Sequence, residues 1–149
     1  MKLSYYTEHP FNEYRKLYHY DEHSISEDEI YARQLCTYFI KDGNQYQLKS
    51  NEMENDIETL ILEEQGKSPT FSEDRNYAGQ GIHIEFRLVQ SFNDMPLLFT
   101  LSVQSHWEVI RYLLKDVVEV PRRGLMVSDS TEIDEDRHVY VIYVSELEE

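Results

Sequence analysis

The sequence predicts an α+β domain: an antiparallel sheet of about five to seven strands with a few helices packed on one face. Three stretches carry that expectation. Residues 82–104 alternate apolar and polar side chains across a turn-rich break. Residues 105–118 then repeat apolar side chains at helical spacing. Lys41-Asp42-Gly43-Asn44 separates two strand-forming runs with a dipeptide that accepts positive φ angles.

In chain order, Lys2–Tyr6 is a candidate first strand. Pro10 fits the first turn of a helix, and Phe11, Tyr14, Leu17 and Tyr18 follow helical spacing to about Tyr20. Ser26 and Glu29 form a capping-box signature that opens a short helix through Ile30, Tyr31 and Gln34. Leu35–Ile40 favours strand and pairs with Tyr46 and Leu48 across the Asp-Gly turn. Residues 51–64 fit a helix stopped by Gly66, whereas Ile57–Leu62 alone fits a strand, and the meander order favours the strand.

Gln65–Gly81 is the longest irregular stretch, with Tyr77 expected to pack back onto the body. In the central unit, Ile82, Ile84, Phe86 and Leu88 share one strand face. Phe92-Asn93-Asp94-Met95-Pro96 forms the break, and Leu97, Phe99, Leu101 and Val103 return. Ser105 and Glu108 cap a helix whose arc holds Trp107, Ile110, Leu114, Val117 and Val118. That arc makes Trp107 a core residue. Leu125–Val127 reads as a short strand and 129–136 as an exposed acidic stretch. Val139–Val144 is apolar on both registers, as an interior strand is. The sequence shows no internal repeat, and 1–149 reads as a single domain.

Charge narrows the function classes. The chain of 149 residues carries 29 acidic and 14 basic side chains, a formal charge of −15. Nucleic acid and anionic membrane are repelled by such a chain, and a basic protein is attracted. The opening Met1–Glu8 is too polar for a signal peptide, and the single Cys36 suits a reducing cytoplasm, so a soluble cytoplasmic protein is expected.

No stretch names a reaction. His83 and Glu85 share a strand face and could exchange protons with His106 as a small hydrolase or metal-dependent site, but no nucleophile or phosphate loop accompanies them. His19 and His23 lack a third metal ligand, and 129–136 lacks the central glycine of a calcium loop. No cofactor is implied. The acids instead segregate. Glu52, Glu54, Asp56 and Glu58 belong to one run without a base, and Asp134, Glu135 and Asp136 to another.

Like charges packed together repel, so these seven residues are the candidate partner-binding surface. The expected function is a non-enzymatic acidic binding protein that engages, and inhibits, a basic protein, in the manner of an immunity-type or nucleic-acid-mimic inhibitor. An assembly subunit pairing through exposed strand edges is the third reading.

Overall fold

The computed structural model describes residues 2–90 and 94–148. The break residues Phe92 and Asn93 lie outside them. The architecture overturns the expected class. Among the described residues it is mostly β, with a single ten-stranded sheet of parallel and antiparallel pairs and two short helices. The strands are β1 (Lys2–His9), β2 (Glu13–Tyr20), β3 (Tyr38–Lys41), β4 (Asn44–Glu54), β5 (Ile57–Lys67), β6 (Ile82–Leu88), β7 (Leu97–Val103), β8 (Val117–Val120), β9 (Gly124–Asp134) and β10 (Val139–Glu146). The helices are α1 (Glu27–Gln34) and α2 (His106–Leu113).

The strand order is β2-β1-β5-β4-β3-β9-β10-β6-β7, with β8 added beside β9. It contains one unit twice. Residues 2–67 run strand, strand, helix and three strands, in the order β2-β1-β5-β4-β3. Residues 82–146 repeat that series in the order β7-β6-β10-β9-β8. In each unit the first strand is parallel to the last, and the other pairs are antiparallel.

Details repeat as well. Ser26 and Ser105 are the two helix N-caps. The ladder skips Lys49 in β4 and Asp129 in β9. Beside each skip a ladder N–H bonds back to the segment leaving the helix: Leu48 N to Thr37 O at 2.8 Å and Ser128 N to Asp116 O at 2.9 Å. The sequence shows only a faint trace, Ser50-Asn51-Glu52-Met53-Glu54-Asn55-Asp56 against Ser130-Thr131-Glu132-Ile133-Asp134-Glu135-Asp136.

Both helices lie on one face of the sheet, over the main core. Leu3, Tyr5, Leu60 and Leu62 come from the first unit, and Ile84, Phe86, Tyr140 and Ile142 from the second. Burying this many apolar side chains between sheet and helices is the main stabilising contribution. The opposite face of the second unit holds a smaller cluster, Val139, Val141 and Tyr143 under Tyr77 and Phe71 of the 68–81 segment. Tyr77 therefore packs back as the sequence predicts, and the strands at 82–103 and 38–48 form the expected hairpins.

Four expectations are corrected. Residues 13–20 are strand β2, not helix, because β1 offers a full antiparallel partner and tyrosines suit a pleated surface; Phe11 stands fully exposed at the hairpin tip. The second helix stops at Leu113, and Val117 and Val118 pass into β8. Its core face is thus Val109, Ile110 and Leu113, which leaves Trp107 65% exposed. The acidic 129–134 stretch is not an exposed loop but part of β9, with Glu132 and Asp134 buried. Among the described residues, no helix is long and apolar enough to cross a membrane.

Candidate functional site

Three polar regions could carry function. The first lies under the 68–81 segment, built on the strand face that carries Glu85 and Arg87, both fully buried in β6. Alternation puts these two residues on one face, and Arg137, from the turn after β9, reaches them. Arg87 Nε donates to Glu85 Oε1 at 2.9 Å. Arg137 adds a bidentate pair at 2.9 and 3.0 Å, and Tyr77 OH donates at 2.8 Å. A carboxylate has about four acceptor positions, so Glu85 is saturated and has none to offer a substrate proton.

Burial pushes the Glu85 carboxyl up, but the hydrogen bonds and charges of Arg137 and Arg87 outweigh it and hold the carboxyl below its ordinary value. Arg87 also donates to Met95 O at 2.9 Å and faces Asp74 at 3.1 Å, which pins the covering segment to the sheet.

Glu132 lies beside this network. Burial, reinforced by the charge of Asp134, pushes its carboxyl up to about 8, so it stays protonated at neutral pH. Tyr143 OH lies 3.2 Å from it. The space left among Asp74, Glu132, Asp134 and Arg137 is about 10 Å³, room for one water at most. The first region is a closed polar staple.

The second region is a rim pocket of about 190 Å³ where α1 and α2 meet the ends of β6 and β10. Arg33, His83, His106, His138 and Glu135 line it. Arg33 projects from α1, 6% exposed, and donates to Tyr5 OH at 2.9 Å, to Glu29 at 3.0 Å and to Glu135. Tyr20 OH donates to the same Glu135 at 2.7 Å, so the edge strand β2 is tied to the β9–β10 turn.

His106 approaches Glu29 at 3.8 Å, and burial lowers its pKa against the pull of Glu29 and Asp28. His83 leans on the Tyr77 ring at 4.8 Å. The candidate trio is therefore divided: His83 and His106 border this pocket, and Glu85 is locked in the staple. No group of three or more His, Cys, Asp or Glu among the described residues has metal-holding geometry.

The third region is the open face of the first unit, away from the helices. Ser4 and Tyr6 of β1, Tyr14 and Lys16 of β2, Thr59 and Ile61 of β5, and Glu52, Met53 and Glu54 of β4 border a groove of about 670 Å³. The β4–β5 hairpin forms its wall, with Glu52, Glu54 and Asp56 exposed and Met53 79% exposed between them.

The seven predicted partner-binding residues thus separate. Glu52, Glu54 and Asp56 share this arm, and Glu58 beside them accepts from Gln34 at 3.2 Å. The other three are engaged internally. Asp134 holds Arg137 at 3.0 Å, and Glu135 holds Arg33. Asp136 accepts the Asp42 and Gly43 backbone N–H groups at 2.8 Å, closing the β3–β4 turn.

Sequence reasoning missed Met53, Tyr6 and Tyr14 as surface residues. The signal available was Met53 itself, an apolar side chain set between two acids. Comparison of the chain with protein-family models, curated proteins and solved structures gave no match.

Proposed function

We propose that this protein is a non-enzymatic binding protein that engages a basic protein through the β4–β5 arm and the open face of the first unit. One observation carries the reading: Glu52 and Glu54 are exposed along a groove that also presents Tyr6, Tyr14 and Ile57, with Asp56 exposed at the turn and Met53 on the arm's other face. Aromatic and methionine contacts ringed by charge suit a protein interface, and clustered acid steers a basic partner during encounter. The Glu85 carboxylate, by contrast, is spent on four internal donors. The buried thiol of Cys36 fits a reducing cytoplasm as the place of action.

The test is capture of partners from the native host on immobilised protein at low and high salt, followed by association kinetics of the captured partner. Glu52→Lys, Glu54→Lys and Asp56→Lys together should lower the on-rate roughly tenfold at low salt, and the difference should shrink beyond about 0.1 M salt. A partner that associates equally fast with wild type and triple variant at low salt would reduce the arm to a solubility device.

A further inference from the structure

The repeated unit supplies a template for how the arm is recognised. In the second unit, Glu132-Ile133-Asp134 of β9 is paired on its outer edge by a short parallel strand: Tyr38, Phe39 and Ile40 of β3 oppose these three residues in turn. The equivalent segment of the first unit is Glu52-Met53-Glu54 of β4. Among the described residues, β3 pairs β4 only at 44–47, and beyond Ser50 the strand pairs with β5 alone.

The outer backbone edge at 52–54 is therefore open where its counterpart is covered. Burial follows the same split: Ile133 is 5% exposed, and Met53, in its place, is 79% exposed. A cleft of about 190 Å³ bordered by Gln34, Asn51, Glu52, Met53 and Glu58 runs beside the edge.

We propose that the basic partner inserts an extended segment here as an added strand, parallel to β4 along 52–54 as β3 is to β9. This rests on the function proposed above and specifies its mode. Added-strand recognition takes affinity from main-chain hydrogen bonds and specificity from alternate side chains. The occupant's charge follows from the edge itself. Glu52 and Glu54 lie on one face and Asp56 at the turn beyond, so the side chains of the inserted strand on that face are Lys or Arg. The side chain over Met53, on the other face, is apolar. The outermost strands β2 and β7 are the competing edges: Leu97–Val103 carries no charge to select a basic segment, and Glu13–Tyr20 sets Arg15 and Lys16 against a single acid, Glu13.

The probe is a capped peptide of alternating lysine and valine, with polylysine of equal length as the control. Amide hydrogen exchange is followed residue by residue. The alternating peptide should slow exchange at Asn51 and Met53, whose N–H groups point away from β5, by about tenfold or more, and polylysine should not. Met53→Pro, which removes a backbone donor from the edge, should abolish the slowing, and Met53→Ala should retain it. Unchanged protection of Leu60 and Leu62 verifies that the proline variant keeps its β4–β5 pairing.

Salt-sensitive binding of both peptides without slowing at 51–54, or with slowing at 13–20 or 97–103 instead, would overturn strand addition at β4 and leave the proposed function standing. Failure of both peptides to bind at low salt would overturn both.

Discussion

The two units share a chain path and treat the same acidic segment in opposite ways. In the second unit, Glu132, Ile133 and Asp134 are buried. β10 and β3 flank them; Phe71 and Tyr77 belong to the cluster on the face of Glu132 and Asp134, and Ile133 points into the main core. In the first unit, Glu52, Met53 and Glu54 are exposed on an arm with one neighbour. Burial makes charge expensive unless it is neutralised or paired. The second unit meets that cost with a protonated Glu132 and with Arg137 on Asp134. The first unit leaves Glu52 and Glu54 exposed to water, where charge costs little. A repeated segment is thus buried and paired in one copy and exposed in the other.

Paired substitutions at equivalent positions sharpen this contrast. The largest expected effect is at Glu85, which occupies the place of Ser4 in the first unit. Glu85→Ala strands Arg87 and Arg137 in the interior and should cost roughly 3–5 kcal/mol. Ser4→Ala should cost under about 0.5 kcal/mol. Urea denaturation measures both, and equal midpoints would show that the staple does not hold the second unit together.

Next comes the apolar pair. Ile133→Ala should lose roughly 2–4 kcal/mol by opening a cavity in the core. Met53→Ala, at an exposed site, should change stability by less than about 0.5 kcal/mol. A large loss at Met53 would mean that it is covered in the free protein.

The smallest effect is pH-dependent. Glu132 has a folded-state value of about 8 against an ordinary 4.5, so its contribution is fully present below 4.5 and is lost as pH rises through about 8. Glu132→Gln removes that slope. It should raise stability near neutral pH by on the order of 1–3 kcal/mol, and Glu52→Gln should leave the profile unchanged. A wild-type profile parallel to that of Glu132→Gln between pH 4.5 and 8 would sink the assignment.

Several elements were legible because the signal was local. The Asp42-Gly43 turn accepts positive φ at both residues, and Ser26 and Ser105 sit where helix N-terminal donors need an acceptor. The 13–20 strand was illegible because tyrosines spaced for a helix also alternate well enough for a strand, and only β1 decided between them. Trp107 reads as core only if the helical arc runs on through Val117 and Val118, and a downstream strand claims those two residues. The acidic clusters were visible as composition. Which of them faces water depended on neighbours far away in sequence.

The sequence by itself determined the charge, the turns, the helix starts and the apolar alternation of the central strands, because each of these is set by residues within a few positions of one another. Only the tertiary structure decided that the chain folds as one unit twice, that β3 docks on β9 while the matching edge of β4 stays open, and that Glu132 is protonated while Glu52 lies exposed. Those outcomes depend on which strand lies beside which. Pairing partners distant along the chain are selected by the closing of the whole sheet, and no local pattern encodes that.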